Sequence, residues 1–548
     1  MKKVISVLLA LTMVFAVMAP IAFAAKVSTP VIFVGGQEDI IYSDKYDKES
    51  ETYYTGVLPE EELDKITSGL RSALIRAIAG SWDEYLDGFY DAVIPYYTEV
   101  ILDNDGMPTN NTGYDCLKEE DLVNKAVNGR YGLYDYKFIY DWRLDPCANA
   151  MDLNDYINDV LEVTGRDKVS IVAQGIGCST VLAYMAKYGS DKISELVLDD
   201  AALNGSDVYG AMFCDDIKQD EDELAVFVAE ARRNIALLQL IKKNIDPENW
   251  DSYISVKATR AVYGKLYEIT IPKIVRTVYG TMPGFWSLIG DEYYEGAIDN
   301  IFEDYEVANE NAGLIEKINT YHYDVAVKTQ EILDEAIENG VNIYNIVNYG
   351  FHMVPVNKKS NTTSDVYISV ISQTLGATVA PYGTKLDEDY LAAAADEGND
   401  AYISPDGEID ASTGFIPDHT WFIKNAENRE KPEAVDDLIV AILNFNGYTN
   451  VFDLEDAPQY LYLSNDRTLL DPLQEGGNAD QPVDPDDPTQ QEQPTTVLGG
   501  FINFVNRIIK AIVELVRSII SFGQSNPFTH AVESGLNEET TTAAEVAP

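Results

Sequence analysis

Apolar runs alternate with amphipathic stretches along most of the chain, and this alternation predicts its fold class. Short runs rich in β-branched residues predict buried strands at 30–34, 137–140, 169–173, 195–199 and 341–349. Apolar residues three and four positions apart predict helices at 60–94, 152–163, 178–188, 221–243, 255–279, 307–339 and 432–444. Strands and helices that alternate in this way predict an α/β fold with a mostly parallel sheet and helices on both faces.

The stretch 168–189, KVSIVAQGIGCSTVLAYMAKYG, has the frame of a nucleophile elbow. In that motif G-x-S-x-G follows a strand and holds its serine hydroxyl above the sheet on a strained turn. Here positions 173–177 read AQGIG, so Gly175 stands at the place of the nucleophile. Glycine tolerates the strained turn, but it offers no atom for an acyl intermediate. Loss of a nucleophile costs on the order of 10⁶ in rate.

Two further features of the elbow bear on catalysis. Cys178 and Ser179 follow the apex, but both are expected in the first helical turn, where packing is favoured over catalysis. The backbone N–H groups of Gly36, Gln37 and Ile176 are the candidate donors of an oxyanion hole. A tight turn explains the glycines after the first predicted strand equally well.

The sequence also resembles a known family. FIYDWRLDP, followed by KVSIVAQGIGCSTVLAYMA and LVLDDAALNGSDVYG, resembles the lecithin:cholesterol acyltransferase-like lipases of the α/β-hydrolase superfamily. The resemblance extends from about residue 30 to residue 444. It implies an α/β-hydrolase fold with an inserted helical cap and, in most relatives, action on acyl esters of lipids. Gln174 stands where histidine is usual in the family, and Cys178 stands at a second glycine position.

The resemblance also implies positions for a catalytic acid and base. Asp365, in NTTSDVYISV, matches the triad aspartate best, although a loop aspartate that caps a turn is equally consistent. The family's histidine would fall near 426–429, where this chain has none. His419 is a weak candidate base, because its register fits a position before the strand. His352, at a strand end, and His322, in the cap, are poorer candidates.

The region 205–340 is mostly helical in pattern and rich in aromatic residues, which predicts the cap. Such a cap shapes an apolar pocket, or its aromatic side chains only pack it onto the sheet. Four cysteines, at 116, 147, 178 and 214, allow three pairings between which the sequence does not choose. No Cys or His cluster has metal-ligand spacing, so neither a metal site nor a cofactor is expected.

The two ends of the chain have compositions of their own. Residues 1–24 have the basic, apolar and small-x-small regions of a bacterial secretory signal, which leaves a hydrolase-like domain at 25–473. Residues 474–496 form an acidic linker rich in Pro and Gln, and 523–548 are predicted to be a disordered tail. Between them, 497–522 reads as an amphipathic helix with a wide apolar face and a narrow polar stripe.

These features predict a secreted or cell-surface protein that has lost its nucleophile and its base. Its expected role is to bind a lipid, glycan or protein partner, and an active esterase with an unusual nucleophile is the alternative. Segment 497–522 is a membrane-surface anchor, a helix that docks on another protein, or a helix that docks on its own domain. A net charge of −52 argues against nucleic acid as a partner.

Overall fold

The computed structural model describes residues 29–35, 101–109, 136–218, 271–426 and 432–475, except 446, 455 and 466. A few isolated positions between 41 and 114, and Asn478, are also described. The signal segment, most of the predicted helix at 60–94, the predicted helix at 221–243, the linker, segment 497–522 and the tail lie outside these residues. So do Gly36, Gln37 and Cys116.

An eight-stranded sheet forms the centre of the described structure. Its strands are β1 (Val31–Val34), β2 (Tyr136–Phe138), β3 (Val169–Gln174), β4 (Ile193–Asp199), β5 (Asn342–Tyr349), β6 (Thr420–Lys424), β7 (Tyr460–Leu463) and β8 (Leu470–Pro472). Their order across the sheet is β2-β1-β3-β4-β5-β6-β7-β8. The first seven strands run parallel and β8 runs antiparallel to β7. The predicted α/β fold with a mostly parallel sheet is confirmed.

Helices surround this sheet. They are α1 (Pro146–Thr164), α2 (Gly177–Tyr188), α3 (Asp207–Phe213), α4 (Ile271–Thr277), α5 (Pro283–Trp286), α6 (Asp291–Ile301), α7 (Tyr305–Glu310), α8 (Ala312–Asp324), α9 (Thr329–Glu338), α10 (Val370–Gln373), α11 (Glu388–Glu397) and α12 (Glu433–Asn444). Single 3₁₀ turns lie at Tyr279–Thr281, Ala326–Lys328, Lys358–Ser360, Asp400–Tyr402, Ala411–Thr413 and Pro417–His419. Three short strand pairs join Ile41–Tyr42 to Gly113–Tyr114, Phe351–His352 to Thr363–Ser364, and Thr378–Val379 to Ile409–Asp410.

Strand β1 shows how the sequence pattern places these helices on both faces of the sheet. Its four side chains are all buried and alternate between two apolar clusters, as the two-residue period of a strand requires. Ile32 and Val34 belong to the cluster that contains α1 and α2, whereas Val31 and Phe33 pack in the cluster that contains α12. A strand buried on both faces reads as a continuous apolar run, which is what VIFV is.

Helix boundaries differ from the prediction where local capping decides them. Helix α1 begins six positions before the predicted start, with Pro146 in its first turn and the Asp145 carboxylate accepting from the Cys147 N–H at 2.9 Å. The single helix predicted at 307–339 is three helices, α7, α8 and α9, separated at Asn311 and Val325. Both residues have non-helical backbone angles, and the apolar spacing continues through the breaks and conceals them.

The region between β4 and β5 contains α3 to α9 in its described part, as the cap prediction requires. No helix in the described part of the chain is both long enough and apolar enough to cross a membrane.

Candidate active site with glycine at the apex

The turn between β3 and α2 has the backbone geometry of a nucleophile elbow. Gly175 has a φ of +53°, the left-handed region, and its N–H donates to the Asp199 carbonyl at 2.9 Å. A Cβ built at Gly175 meets no atom within 4 Å, so the apex is open. A Cβ at Gly177 would instead lie 2.3 Å from the Val34 carbonyl oxygen. Helix α2 therefore begins in direct contact with the end of β1, and only glycine allows this approach.

Neither neighbouring nucleophile candidate stands at the apex. Cys178 is buried, and its thiol donates to the Ala173 carbonyl at 3.3 Å. Burial raises the pKa of this thiol well above its ordinary value, so it stays protonated. The Ser179 hydroxyl is buried under the cap, where it accepts a hydrogen bond from Ser287 Oγ at 2.9 Å and also bonds Tyr321.

Three buried aspartates lie beside the elbow, and Asp365 is one of them. One Asp365 oxygen accepts from the backbone N–H of Tyr367 at 2.7 Å and from that of Ile368. The Asp200 carboxyl also hydrogen-bonds Asp365. Burial, the nearby charge of Asp365 and that of Asp199 together raise the pKa of Asp200 well above its ordinary value. The folded structure therefore favours the protonated form of the Asp200 carboxyl.

Asp199 and Asp200 were not among the predicted site residues. Gln174 Nε2 donates to Asp199 Oδ2 at 3.1 Å, which links these acids directly to the elbow. Their position in the sequence indicates a site, because the two acidic residues end the predicted strand in ISELVLDD. Polar residues at the carboxyl end of a parallel strand mark the sheet edge where ligands bind in α/β folds.

The structure places His419 away from this edge and so corrects its assignment as a candidate base. His419 lies in the 3₁₀ turn that precedes β6, whereas Gly175 follows the end of β3. The two strands are three positions apart in the sheet, roughly 14 Å at the usual strand spacing. The His419 Nδ1 atom lies 2.7 Å from the Thr449 carbonyl oxygen, and its ring stacks on that of Tyr448. These contacts assign the ring a packing role.

The other two described histidines, His322 and His352, are buried. His322 stacks on Tyr294 in the cap, and its Nε2 lies 3.1 Å from Asp291 Oδ1. His352 follows β5, on the sheet edge that carries Gly175. Burial lowers the pKa of His352, so the ring is neutral and its Nδ1–H donates to the Met353 carbonyl at 2.6 Å.

The DWR part of the motif has a structural role. Arg143 is fully buried and forms two parallel hydrogen bonds with Asp141, at 2.9 and 2.6 Å. The Arg143 carbonyl accepts from the N–H of Gly284 in the cap at 3.0 Å. A Cβ at Gly284 would lie 1.9 Å from the Trp142 carbonyl oxygen, so the cap and this loop are in direct backbone contact.

The predicted oxyanion-hole donors are described only in part. Ile176 occupies the N-cap position of α2, where a helix leaves backbone N–H groups without intrahelical acceptors. Gly36 and Gln37 lie outside the described residues, so the second half of the predicted hole stays a prediction.

The three described cysteines are unpaired thiols. Burial raises the pKa of Cys147 to about 12 and that of Cys214 to about 11, which keeps both protonated. The described residues contain no group of three or more His, Cys, Asp or Glu side chains that is arranged to hold a metal ion.

Comparison with known proteins gives little further information. No protein-family model matches the chain, and no curated protein matches it. Among solved structures, a chain from the crystal structure of the Tle4–Tli4 complex is similar at 10% identity and a TM-score of 0.23. That match covers 88% of this chain and 98% of the other. A score this low says nothing about a shared activity, so the description of the site depends on its own geometry.

Proposed function

We propose that this chain is a non-catalytic, lipase-like protein of the α/β-hydrolase type, secreted by a bacterium, that binds a lipid or acyl-ester ligand without hydrolysing it. The observation that carries the proposal is the open apex at Gly175, where a hydrolase needs its nucleophile. The resemblance to the lecithin:cholesterol acyltransferase-like lipases supports the choice of ligand class.

The surrounding residues support the same conclusion. Cys178 and Ser179 are committed to buried hydrogen bonds, and a buried protonated thiol is a poor nucleophile. The carboxyl at the acid position, Asp365, hydrogen-bonds a second carboxyl, that of Asp200. An aspartate that orients a catalytic histidine must instead accept a hydrogen bond from that imidazole.

The proposed absence of esterase activity is tested by assaying the full chain for hydrolysis of p-nitrophenyl butyrate and for labelling by a fluorophosphonate. We expect no turnover above the buffer rate and no labelled protein. Cys178→Ala, Ser179→Ala and His352→Ala variants are measured alongside. Turnover by the wild type that any one of these substitutions abolishes would establish an unusual nucleophile or base and overturn the proposal.

Ligand binding is tested separately, by titrating the protein with a lysophospholipid below its micellar concentration and following tryptophan fluorescence. Gly175→Leu should abolish the response, because the new side chain fills the open space above the apex. Gly165→Leu is the matched control. Gly165 also has a positive φ, +63°, and a Cβ built there has no neighbour within 4 Å. It ends α1 shortly before β3 begins, whereas Gly175 follows the end of β3. An equal loss in both variants, or no binding by the wild type, would contradict the proposed ligand.

Segment 497–522 is predicted to be an amphipathic helix, and its apolar face has three alternative binding surfaces: a membrane, another protein or the chain's own domain. The described residues bear on the third.

A further inference from the structure

A groove lined mainly by apolar residues lies where the chain enters β7, away from the elbow at Gly175. It has a volume of about 410 Å³ and is walled by the loop 401–405, the segment that leads into β7, and Leu473 after β8. Most of its lining residues are apolar, including Ile403, Pro405, Phe452, Leu454 and Pro458. Strand β7 is four positions from β3 in the sheet, so the groove is separate from the site at Gly175.

The walls of this groove are fixed by internal contacts. The Tyr460 hydroxyl donates to the Tyr402 carbonyl at 2.5 Å, which ties β7 to the loop 401–405. The Tyr402 ring meets the Phe452 ring edge to face, at 5.7 Å between centroids. Phe452 nevertheless remains 56% exposed. A preformed groove with an exposed aromatic side chain on its wall is typical of a surface that receives an apolar partner.

The chain itself leaves the domain beside this groove. Leu473 lines the groove, and the predicted linker begins at the next residue, Gln474. The linker has roughly two dozen residues, which span about 25–30 Å as a random coil. A segment tethered at this distance has an effective concentration in the millimolar range. The linker therefore keeps segment 497–522 within reach of the groove.

The pattern of segment 497–522 suits the groove. In a helix, the side chains opposite to its polar stripe fall on one line at spacings of three and four: Phe501, Val505, Ile508, Ile512, Val516 and Ile519. Such a line is the usual anchor pattern of a helix that docks in a groove.

Charge favours the same pairing. The stripe of segment 497–522 carries three basic residues, Arg507, Lys510 and Arg517, and one acid, Glu514. Around the groove, the side chains of Asp400, Asp453 and Asp456 are exposed, and none forms an ion pair with another described residue. A cationic helix above an acidic rim is electrostatically complementary.

We propose that segment 497–522 docks as a helix in this groove of its own domain, with the line of apolar residues inward and the basic stripe facing solvent, close enough to the acidic rim for the net positive charge of the helix to be attracted to it. This contact covers the apolar face of the segment without a membrane or a second protein. It is independent of any activity at Gly175.

The test is amide hydrogen exchange on the full chain in lipid-free buffer, read by mass spectrometry of peptides from 497–522. We expect protected amides in the wild type. Phe452→Lys on the groove wall should accelerate their exchange at least ~10-fold, because an anchor contact is lost and a like charge is introduced. Ile512→Asp, on the inward line, should accelerate exchange to a similar extent.

Two variants serve as matched controls. Tyr305→Lys makes a comparable aromatic-to-lysine change at a side chain of the cap that is 86% exposed, and should leave the exchange of 497–522 unchanged. Asn506→Asp adds the same charge as Ile512→Asp on the polar stripe and should have a smaller effect than Ile512→Asp, because it leaves the inward line of apolar residues intact.

Three outcomes would overturn the proposal. The first is exchange of 497–522 at the unprotected rate in the wild type, with protection gained only on adding phosphatidylglycerol vesicles, which would assign the segment to a membrane. The second is protection that Phe452→Lys does not alter. The third is protection that increases with protein concentration, which would assign the cover to a second copy.

Discussion

Two glycines two positions apart, Gly175 and Gly177, should lose different amounts of stability on the same small substitution, for different physical reasons. Gly175 has a strained φ but open space around its Cβ position, whereas Gly177 has no positive φ and no space. Alanine at Gly175 therefore adds only a backbone cost, roughly 1–2 kcal/mol for an L-residue in the left-handed region. Asparagine tolerates that region better, so Gly175→Asn should cost less than Gly175→Ala.

Alanine at Gly177 has a larger predicted cost. Its Cβ would lie 2.3 Å from the Val34 carbonyl oxygen and 2.6 Å from that of Gly35, distances that no rotamer change relieves. Overpacking of this kind typically costs 1–3 kcal/mol and occasionally more. Because both contacts are with backbone, α2 must move away from β1, and we expect about 3 kcal/mol or more.

Urea denaturation of the full chain, followed by tryptophan fluorescence, measures both costs. Gly165→Ala is the control for strain alone, since its φ of +63° and empty surroundings match those of Gly175. We expect Gly165→Ala and Gly175→Ala to have similar costs, because each places an L-residue in the left-handed region without a steric clash. A cost at Gly175 equal to that at Gly177 would refute the open apex. A negligible cost at Gly177 would refute the close contact between α2 and β1.

Three further predictions follow from buried groups. The raised pKa of Asp200 means that its stabilising contribution is complete below the ordinary carboxyl value of 3.8 and is lost as pH rises through the folded-state pKa. Asp200→Asn, which cannot ionise, should therefore flatten the fall in urea midpoint as pH rises above 3.8, and parallel curves for the variant and the wild type would contradict the raised pKa. Cys178 should resist iodoacetamide at pH 8 in the folded protein and react in urea, and peptide mass spectrometry that finds it alkylated in the folded protein would contradict its burial. Arg143→Met should lower the free energy of unfolding by about 3–5 kcal/mol because Asp141 loses its charge partner, and a loss below about 1 kcal/mol, measured by urea denaturation, would show that the pair contributes little.

The sequence predicted those parts of the fold in which local pattern and burial agree. Strands buried on both faces, such as β1 and β3, are apolar throughout and lie within one or two residues of their predicted bounds. Strands β7 and β8 were not predicted. They are short, and β8 is a sheet-edge strand with a mostly exposed sequence, Leu-Asp-Pro, that carries no strand pattern. Its pairing with β7 is a tertiary contact, which local pattern does not encode.

The candidate site was likewise predicted only in part. Gly175 was found because an elbow has a fixed spacing, and its positive φ agrees with that spacing. The contact between Asp200 and Asp365 was not found, because it joins residues that are 165 positions apart. His419 was assigned from its distance along the chain, but a residue before a parallel strand and a residue after one lie at opposite ends of their strands. His419 is next to a sheet strand, as expected, but it precedes that strand, and this places it at the opposite end of the sheet from Gly175.

The preserved turn at Gly175 does not by itself indicate catalysis, because packing alone maintains it. Helix α2 crosses β1 so closely that Gly177 touches backbone oxygens of Val34 and Gly35, and the chain must turn sharply at Gly175 to enter that crossing. The elbow therefore persists wherever this crossing persists, whatever residue stands at its apex. Catalysis requires in addition a side-chain nucleophile and an imidazole between it and the acid. At this apex there is no side chain, and the neighbouring acid hydrogen-bonds a second carboxyl. The backbone turn thus identifies the fold, whereas the residue at the apex and the hydrogen-bond partners of Asp365 determine whether the site can catalyse a reaction.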